Sequence, residues 1–440
     1  MDDFSILIGG RAGFGIDKAG AVIGGLLNSL GYRVFIYREY PSLIRGGHTF
    51  SVIRASIIRI AAHRDKVDLV IALDQETLEF HRKRLNRDCL FLFDSDQVKS
   101  ASGGACGLGL VPGKILKEEN APDIMRNTCM IGAMAKALGI GFGALEAVLR
   151  KEIAKDADLN VRVARRGFDE SKELIRVDPV KQEVLPLASG NEALALGLIK
   201  GGLDAYIAYP MTPTSPILHY LAETAKERSL DVIHPESEIA VMLMALGFSY
   251  AGKRSAVGTS GGGFCLMTEG LSLSGMAELP VVIVLGQRPG PSTGLPTYSA
   301  QTELHFALNA GQGEFVRFIV APGDAEEAYY WSAVAMNISW RRRIPSIILT
   351  DKHMGECVFG FDERSAGDIK EEISPAVFPP VKGKVIKANS YEHDEAGITT
   401  EDPVLTKAMQ DKRLGKEKFL ARDVDMLEAV KVCGNKDSKT

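Results

Sequence analysis

The feature that most constrains this chain is a series of short, continuous apolar stretches separated by helical patterns. In the second half they are AYIAY, SAVGTS, PVVIVLGQ, FIVAPG and PSIILTD. Strands that are apolar along their length, not at alternate positions, must be covered on both faces, which is the condition of a parallel sheet wrapped by helices. The first part alternates too. The strand-like SILIGG leads through the Gly-rich turn GGRAGFG into a helical pattern from Ile16 to about Leu30. RVFIYREY, TFSVIRAS, DLVIAL and CLFLFD follow as strands, then helical patterns near Met130–Leu138 and Phe142–Ile153. The chain therefore reads as α/β: an N-terminal open α/β domain, then a doubly wound, mostly parallel one.

At 440 residues the chain is too long for one ordinary core. The first domain is expected at 1–176. Residues 177–187, polar and proline-containing, read as a linker, the second domain as 188–375, and 376–440 as a charged C-terminal extension. Text such as MQDKRLGKEKFLARDVDM can form a helix but has little with which to build a core. No repeat of 20 to 50 residues is present.

The formal net charge of -4 leaves no basic footprint, so nucleic acid is not an expected partner. No apolar run reaches the roughly 18 to 20 residues of a membrane span, and the start MDDFSILIGG is unlike a signal peptide. No membrane association and a cytoplasmic location are expected. Cys89, Cys106, Cys129, Cys265, Cys357 and Cys433 are scattered with no Cys-x-x-Cys pair, so they read as reduced thiols, mostly in the core, with no metal site.

Four segments carry candidate chemistry. In AYIAYPMTPTSPI a buried strand stops at Tyr209 and a loop with three prolines follows. Ser215 can cap the next helix, with Pro216 in its first turn. Such a loop is either a stiff connection or a rigid mount for Thr212 and Thr214 at the carboxyl end of a strand, where open α/β sheets bind ligands. HPESEIAVMLMALGFSYAG is a helix with Glu236 and Glu238 in its first turn, where acids often do no more than complement the helix dipole. VGTSGGGFCLMTEGL sets three glycines between strand and helix, giving either a tight turn or room for a flat ligand against the backbone. Arg288 in QRPGPSTGLPTYSAQ stands at a strand's end, where a guanidinium can grip a carboxylate, although most loop arginines are merely solvated.

Taken in order, these blocks resemble the alpha subunit of 2-oxoacid:ferredoxin oxidoreductases. YPMTP is similar to that family's YPITP signature, and SEIAVMLMALGFSYAG, TSGGGFCLMTEGLSLSGMAELP and QRPGPSTGLPT resemble its next three blocks. GGRAGFGIDKAG and REYPSLIRGGHTF resemble the family's gamma domain, so the likeness spans nearly the whole chain.

The resemblance implies a gamma domain fused to a thiamine-diphosphate pyrimidine-binding domain. Glu238 would bond N1′ of the aminopyrimidine and favour the imino tautomer that takes the proton from thiazolium C2. Thr212 would lie beside C2, and Arg288 would hold the substrate carboxylate. Tyr209, Pro210, Ser260 and Gly261 would complete the cofactor contacts. On the gamma side Arg11, Arg45, Gly46 and Gly47 are candidates for coenzyme A. The family's Gly-Asp-Gly and Asn-Asn diphosphate motif is absent, as are cysteines for an iron–sulfur cluster. The resemblance thus implies a beta subunit carrying Mg2+, the diphosphate site and a 4Fe-4S cluster, with ferredoxin beyond it and coenzyme A as co-substrate.

Two departures stand out. Chains of this layout usually continue into a transketolase C-terminal-like domain, which is expected either as a separate chain or as a part removed by truncation. Gln312 stands where relatives often show His, which bears on substrate preference. The rival reading is a nucleotide-dependent oxidoreductase, resting on GGRAGFG and on Glu39. Its glycines, Gly9, Gly10, Gly13 and Gly15, do not fit Gly-x-Gly-x-x-Gly.

Overall fold

The continuous apolar runs become strands buried along their whole length. In the computed structural model, which describes residues 1–41, 47–99, 107–367, 369–372, 376–427, 429–430 and 435, the strands follow in chain order. They are β1 (Asp3–Arg11), β2 (Arg33–Glu39), β3 (His48–Ser56), β4 (Val67–Ala72), β5 (Leu85–Asp94), β6 (Gly107–Leu110) and β7 (Leu187–Ser189). β8 (Ala205–Ile207), β9 (Asp231–Ile233), β10 (Ser255–Ser260), β11 (Val281–Gln287), β12 (Phe318–Val320), β13 (Pro345–Asp351) and β14 (Val358–Gly360) complete the set. Every residue of β10, β11 and β13 is buried, as both-face coverage requires.

One unit comprises Met1–Gly190 with Leu295–Tyr298 and His353–Ser365. Its sheet has the order β6-β5-β4-β1-β3-β2-β14-β7. β1, β4, β5 and β6 run parallel, whereas β3, β2, β14 and β7 pair antiparallel in succession. Helix Ile16–Ser29 buries Ala19, Val22, Ile23, Leu26 and Leu27 on this sheet's core.

Three expectations change here. Gly9 and Gly10 are strand residues paired with Phe50 and Thr49, so the turn begins only after Arg11. The segment 177–187 is no free tether, because its backbone groups find partners in this unit. The Val180 N–H donates to Leu30 O (2.7 Å), and Asn28 Nδ2 donates to Leu185 O (2.8 Å). The chain also returns after β13 to add β14 between β2 and β7.

The other unit comprises Asn191–Gly294, Ser299–Lys352 and Ala366–Thr440. Its six strands are all parallel, in the order β12-β13-β11-β10-β8-β9. The chain leaves β8 for β9 on one side and then crosses to β10 on the other. A crevice therefore opens between the carboxyl ends of β8 and β10, the topological switch point where such sheets bind ligands.

The C-terminal stretch forms helices Pro403–Leu414 and Lys416–Asp425. As its composition requires, charge holds it in place. Asp423 meets Arg342 (2.6 Å) and Arg341 (3.1 Å), and Lys412 and Lys416 both meet Glu278 (2.6 Å each).

Candidate active site

The loop after β8 is held down by its own sequence. Asn191 Nδ2 donates to Pro213 O (2.9 Å), and Thr214 Oγ1 donates to Met211 O (3.0 Å). Below the loop lies Gly286 of β11, where a Cβ would come 2.7 Å from Thr214 Cγ2 and 2.8 Å from Pro213 Cδ. Helix Ser215–Arg228 follows with Thr214, not Ser215, as N-cap, because Ser215 already has its place in the first turn beside Pro216.

Glu236 and Glu238, alike on residue chemistry although the resemblance points to Glu238, differ in the structure. Ser237 caps helix Glu238–Tyr250, its Oγ accepting from the Ala240 N–H (3.4 Å). Glu236 stays outside the helix and exposed, while Glu238 is buried at 7% exposure and lines a cavity of about 720 Å³. An acid present only for the helix dipole would have no reason to leave water.

Another wall is the start of helix Gly261–Ala277. Its N-cap Ser260 makes no side-chain cap bond, and its buried Oγ has no partner. The three glycines are required by their neighbours. A Cβ on Gly261 would come 2.5 Å from Glu303 Oε1, and one on Gly263 would come 2.2 Å from Thr259 Oγ1 and 2.9 Å from Glu238 Oε1. Glu303 and Glu238 thus lie directly against the glycine turn, in space that side chains there would fill.

Arg288 enters from the end of β11 and lines the same cavity. It is 6% exposed, Nη1 donates to Thr212 O (2.8 Å), and its buried Nε has no partner. Burial pulls its pKa down, partly opposed by the nearby Glu303. A guanidinium so placed is oriented but incompletely satisfied, the condition of one that awaits an anion.

Glu303 also faces this cavity, although no motif singles it out. The available signal was that it is the next charged residue after Arg288 in a long uncharged loop. Thr212 offers its carbonyl to Arg288, while Met211 supplies the loop's lining. Tyr209 is partly exposed against His234 (ring centroids 5.8 Å), and neither Tyr209 nor Pro210 lines the cavity. Gln312 lies outside it, its N–H on Ser272 Oγ (2.7 Å). Of the described cysteines, Cys89, Cys129 and Cys357 are buried, whereas Cys265 is exposed and lines the cavity.

In the first unit, Arg11 donates to Gln97 Oε1 (3.4 Å) and its guanidinium lies 5.2 Å from the Phe14 ring centroid. Gly47 O accepts from the Ala12 N–H (3.1 Å). Arg45 and Gly46 lie outside the described residues. Although the sequence suggested no metal ligands, His48, Asp74 and Glu76 bring potential ligand atoms within 4.8 Å of one another. His48 Nε2 lies 2.9 Å from His81 Nε2, and burial pushes the His81 pKa down to about 3.

Residues 196–415 match a family model described as pyruvate flavodoxin/ferredoxin oxidoreductase, thiamine diphosphate-binding. Residues 5–170 match one described as pyruvate ferredoxin/flavodoxin oxidoreductase. The chain belongs to the 2-oxoacid:ferredoxin oxidoreductases.

The 2-oxoacid:ferredoxin oxidoreductase 2 subunit alpha of Aeropyrum pernix is 28% identical to it, over 100% of this chain and 82% of that relative. The 2-oxoglutarate synthase subunit KorA of Methanocaldococcus jannaschii is 30% identical over 57% of this chain and 75% of its own length. In structure, the chain is similar to a 2-oxoglutarate:ferredoxin oxidoreductase from Magnetococcus marinus, solved with 2-oxoglutarate, coenzyme A and succinyl-CoA. The TM-score is 0.89 at 26% identity, covering 99% of this chain and 82% of that one.

The chain is thus a 2-oxoacid:ferredoxin oxidoreductase subunit with the family's thiamine-diphosphate-binding domain. The nucleotide-dependent alternative loses its footing in the sheet as well. β1 is flanked by antiparallel β3 and parallel β4, so Glu39 at the end of β2 is not on a strand adjacent to β1. Among the described residues no helix is long and apolar enough to cross a membrane.

Proposed function

We propose that this chain supplies the pyrimidine half of the thiamine diphosphate site in an enzyme that oxidatively decarboxylates a 2-oxoacid to acyl-CoA and reduces ferredoxin. The observation that carries this reading is the buried Glu238, which lines one cavity together with a wall formed by the glycine turn 261–263. A flat ring fits against such a wall, and Glu238 is the acid placed to hold a proton on a ring nitrogen. When bound, thiamine diphosphate supplies the nucleophilic carbon and electron sink that decarboxylation requires. Glu238 keeps the proton at the ring's edge, in a place where water cannot compete for it. Arg288, its Nη1 fixed by the Thr212 carbonyl, is aimed at the carboxylate of the 2-oxoacid. Thr212 is thereby a mount as well as a neighbour of the reacting atoms, and Tyr209, Pro210 and Ser260 shape the loops on either side.

The rest of the site belongs to a beta-type partner, which carries the diphosphate site with its Mg2+ and the 4Fe-4S cluster that passes electrons to ferredoxin. Exposed apolar side chains on the two helices beside the cavity support this: Ile239, Leu243 and Met244 on one and Leu266 on the other are 42–49% exposed. Without the partner the chain is inactive. Coenzyme A, present in the Magnetococcus marinus structure, is the acyl acceptor, with Arg11, Arg45, Gly46 and Gly47 on the gamma side as its candidate contacts.

The test is hydrogen exchange at C2 of thiamine diphosphate bound to the assembled complex, wild type against Glu238→Gln. The amide keeps the shape but cannot share the proton, so exchange should slow by about 10² to 10⁴-fold. Equal rates would mean that another acid does this work, with Glu303, the other acid lining the cavity, next to be tried.

A further inference from the structure

Two carboxyl groups against one guanidinium line a cavity that the reading above gives to an organic acid. Glu238 and Glu303 both line it, with Arg288 as the lining cation. Glu303 is 9% exposed, so a second carboxylate there would face an incoming anion with little water to screen it.

The two oxygens of Glu303 have different surroundings. Oε2 accepts from the Thr302 N–H (3.3 Å) and hydroxyl (3.0 Å), and the Glu303 N–H donates to Gln287 Oε1 (3.2 Å), so the group is fixed in place. Oε1 has no donor among the described residues. It stands over Gly261, where a Cβ would come 2.5 Å from it, so the glycine keeps open the space in which Oε1 can meet a ligand. The ionisable groups around Glu303 are Arg288 from the end of β11, Glu238 from helix Glu238–Tyr250 and Cys265 from helix Gly261–Ala277. Asp351 at the end of β13 is already engaged by Gln301 Nε2 (2.8 Å). Burial pushes the Glu303 carboxyl up, partly offset by the Thr302 bonds and by Arg288.

We propose that Glu303 takes up a proton from solvent when a 2-oxoacid carboxylate sits on Arg288, and that its Oε1–H then donates to the bound acid. No substrate bond is made or broken in this step, and the proton returns to solvent on release. The inference rests on the reading of the cavity given above, with Glu303 acting as a binding residue whose charge state sets affinity.

The sign follows directly. Binding then consumes one proton, so affinity is highest where Glu303 is already protonated and falls as pH rises through its pKa, by about tenfold per pH unit. Glu303→Gln retains an oxygen for Thr302 and offers a permanent N–H, so its affinity should lack that break.

The experiment measures KM in the assembled enzyme across pH for the 2-oxoacid turned over fastest, in wild type, Glu303→Gln and Arg288→Ala. Infrared difference spectra of the wild-type complex, assembled without thiamine diphosphate so that the acid keeps its carboxylate, are recorded on adding that acid. The proposal expects a pH break in the wild type that is absent from Glu303→Gln, and a new carboxylic-acid C=O band. A break that persists in Glu303→Gln, or no such band in the wild type, would overturn it. The Arg288→Ala arm separates the two levels of argument. If it leaves KM unchanged, the cavity is not the 2-oxoacid site at all. If it raises KM while Glu303→Gln keeps the break, the site stands and only the role of Glu303 is wrong.

Discussion

Around the C-terminal helices the buried carboxylates Glu278 and Asp423 are each answered by two cations, although Arg413 Nη1 stays buried without a partner. Glu278, 8% exposed, has Lys412 and Lys416, and Asp423, 4% exposed, has Arg341 and Arg342. Around the cavity the opposite holds. Arg288 Nε and Ser260 Oγ are buried without partners, and Glu303 Oε1 receives no bond from the described chain. The same cost of desolvation is met inside the chain in one region and left open in the other. Unanswered polarity at a sheet's switch point is what a ligand or partner would complete, whereas answered polarity has a structural explanation.

This contrast can be pressed from its strongest consequence to its weakest. Burial alone would raise the Glu278 pKa, but Lys416 and Lys412 outweigh it and hold it at about 2, against an ordinary 4.5. A depressed folded pKa contributes stability that is complete above pH 4.5 and is lost as pH falls toward about 2. The loss should reach about 3 kcal/mol. Limited proteolysis at descending pH should release the C-terminal helices in that window, and release that is independent of pH would break the comparison. Arg342→Met leaves Asp423 with Arg341 alone and should cost about 1.5 to 3 kcal/mol in denaturant unfolding. An unchanged midpoint would mean that the pair is decorative.

The smallest effect on stability is expected at Arg288. Arg288→Ala removes a guanidinium that the fold has not fully satisfied, so its unfolding midpoint should shift by less than about 1 kcal/mol. KM for the 2-oxoacids should nevertheless rise by about 10 to 100-fold, the loss of a charge-assisted bond. A large loss of stability with KM unaltered would place Arg288 among the structural charges.

The sheets were legible because uninterrupted apolar runs leave a strand few alternatives, and β10, β11 and β13 fall where those runs are. β7 and β14 were not, since three residues carry little pattern, and the pairing of β14 with β2 and of β7 with β14 is set by distant chain. At the site, the sequence brought Glu238 and Arg288 forward, but Glu238 was preferred to Glu236 only by the family resemblance and not by residue chemistry. The cap at Ser237 puts Glu238 at the start of the helix and leaves Glu236 before it, in water. Tyr209 and Pro210 were drawn in by their motif, yet they flank the cavity rather than line it. Glu303 escaped notice because nothing local marks it. Its meaning comes from Gly261 and Arg288, which only the folded sheet brings near.

In the proposed enzyme this chain holds half of the cofactor site and a beta-type partner holds the other half. The direct measurement is calorimetric titration of thiamine diphosphate with Mg2+ into this chain alone, into the beta-type partner alone and into the two together. The account predicts weak binding to this chain by itself and tight, one-to-one binding per pair once the partner is present. Tight stoichiometric binding to this chain alone would contradict it.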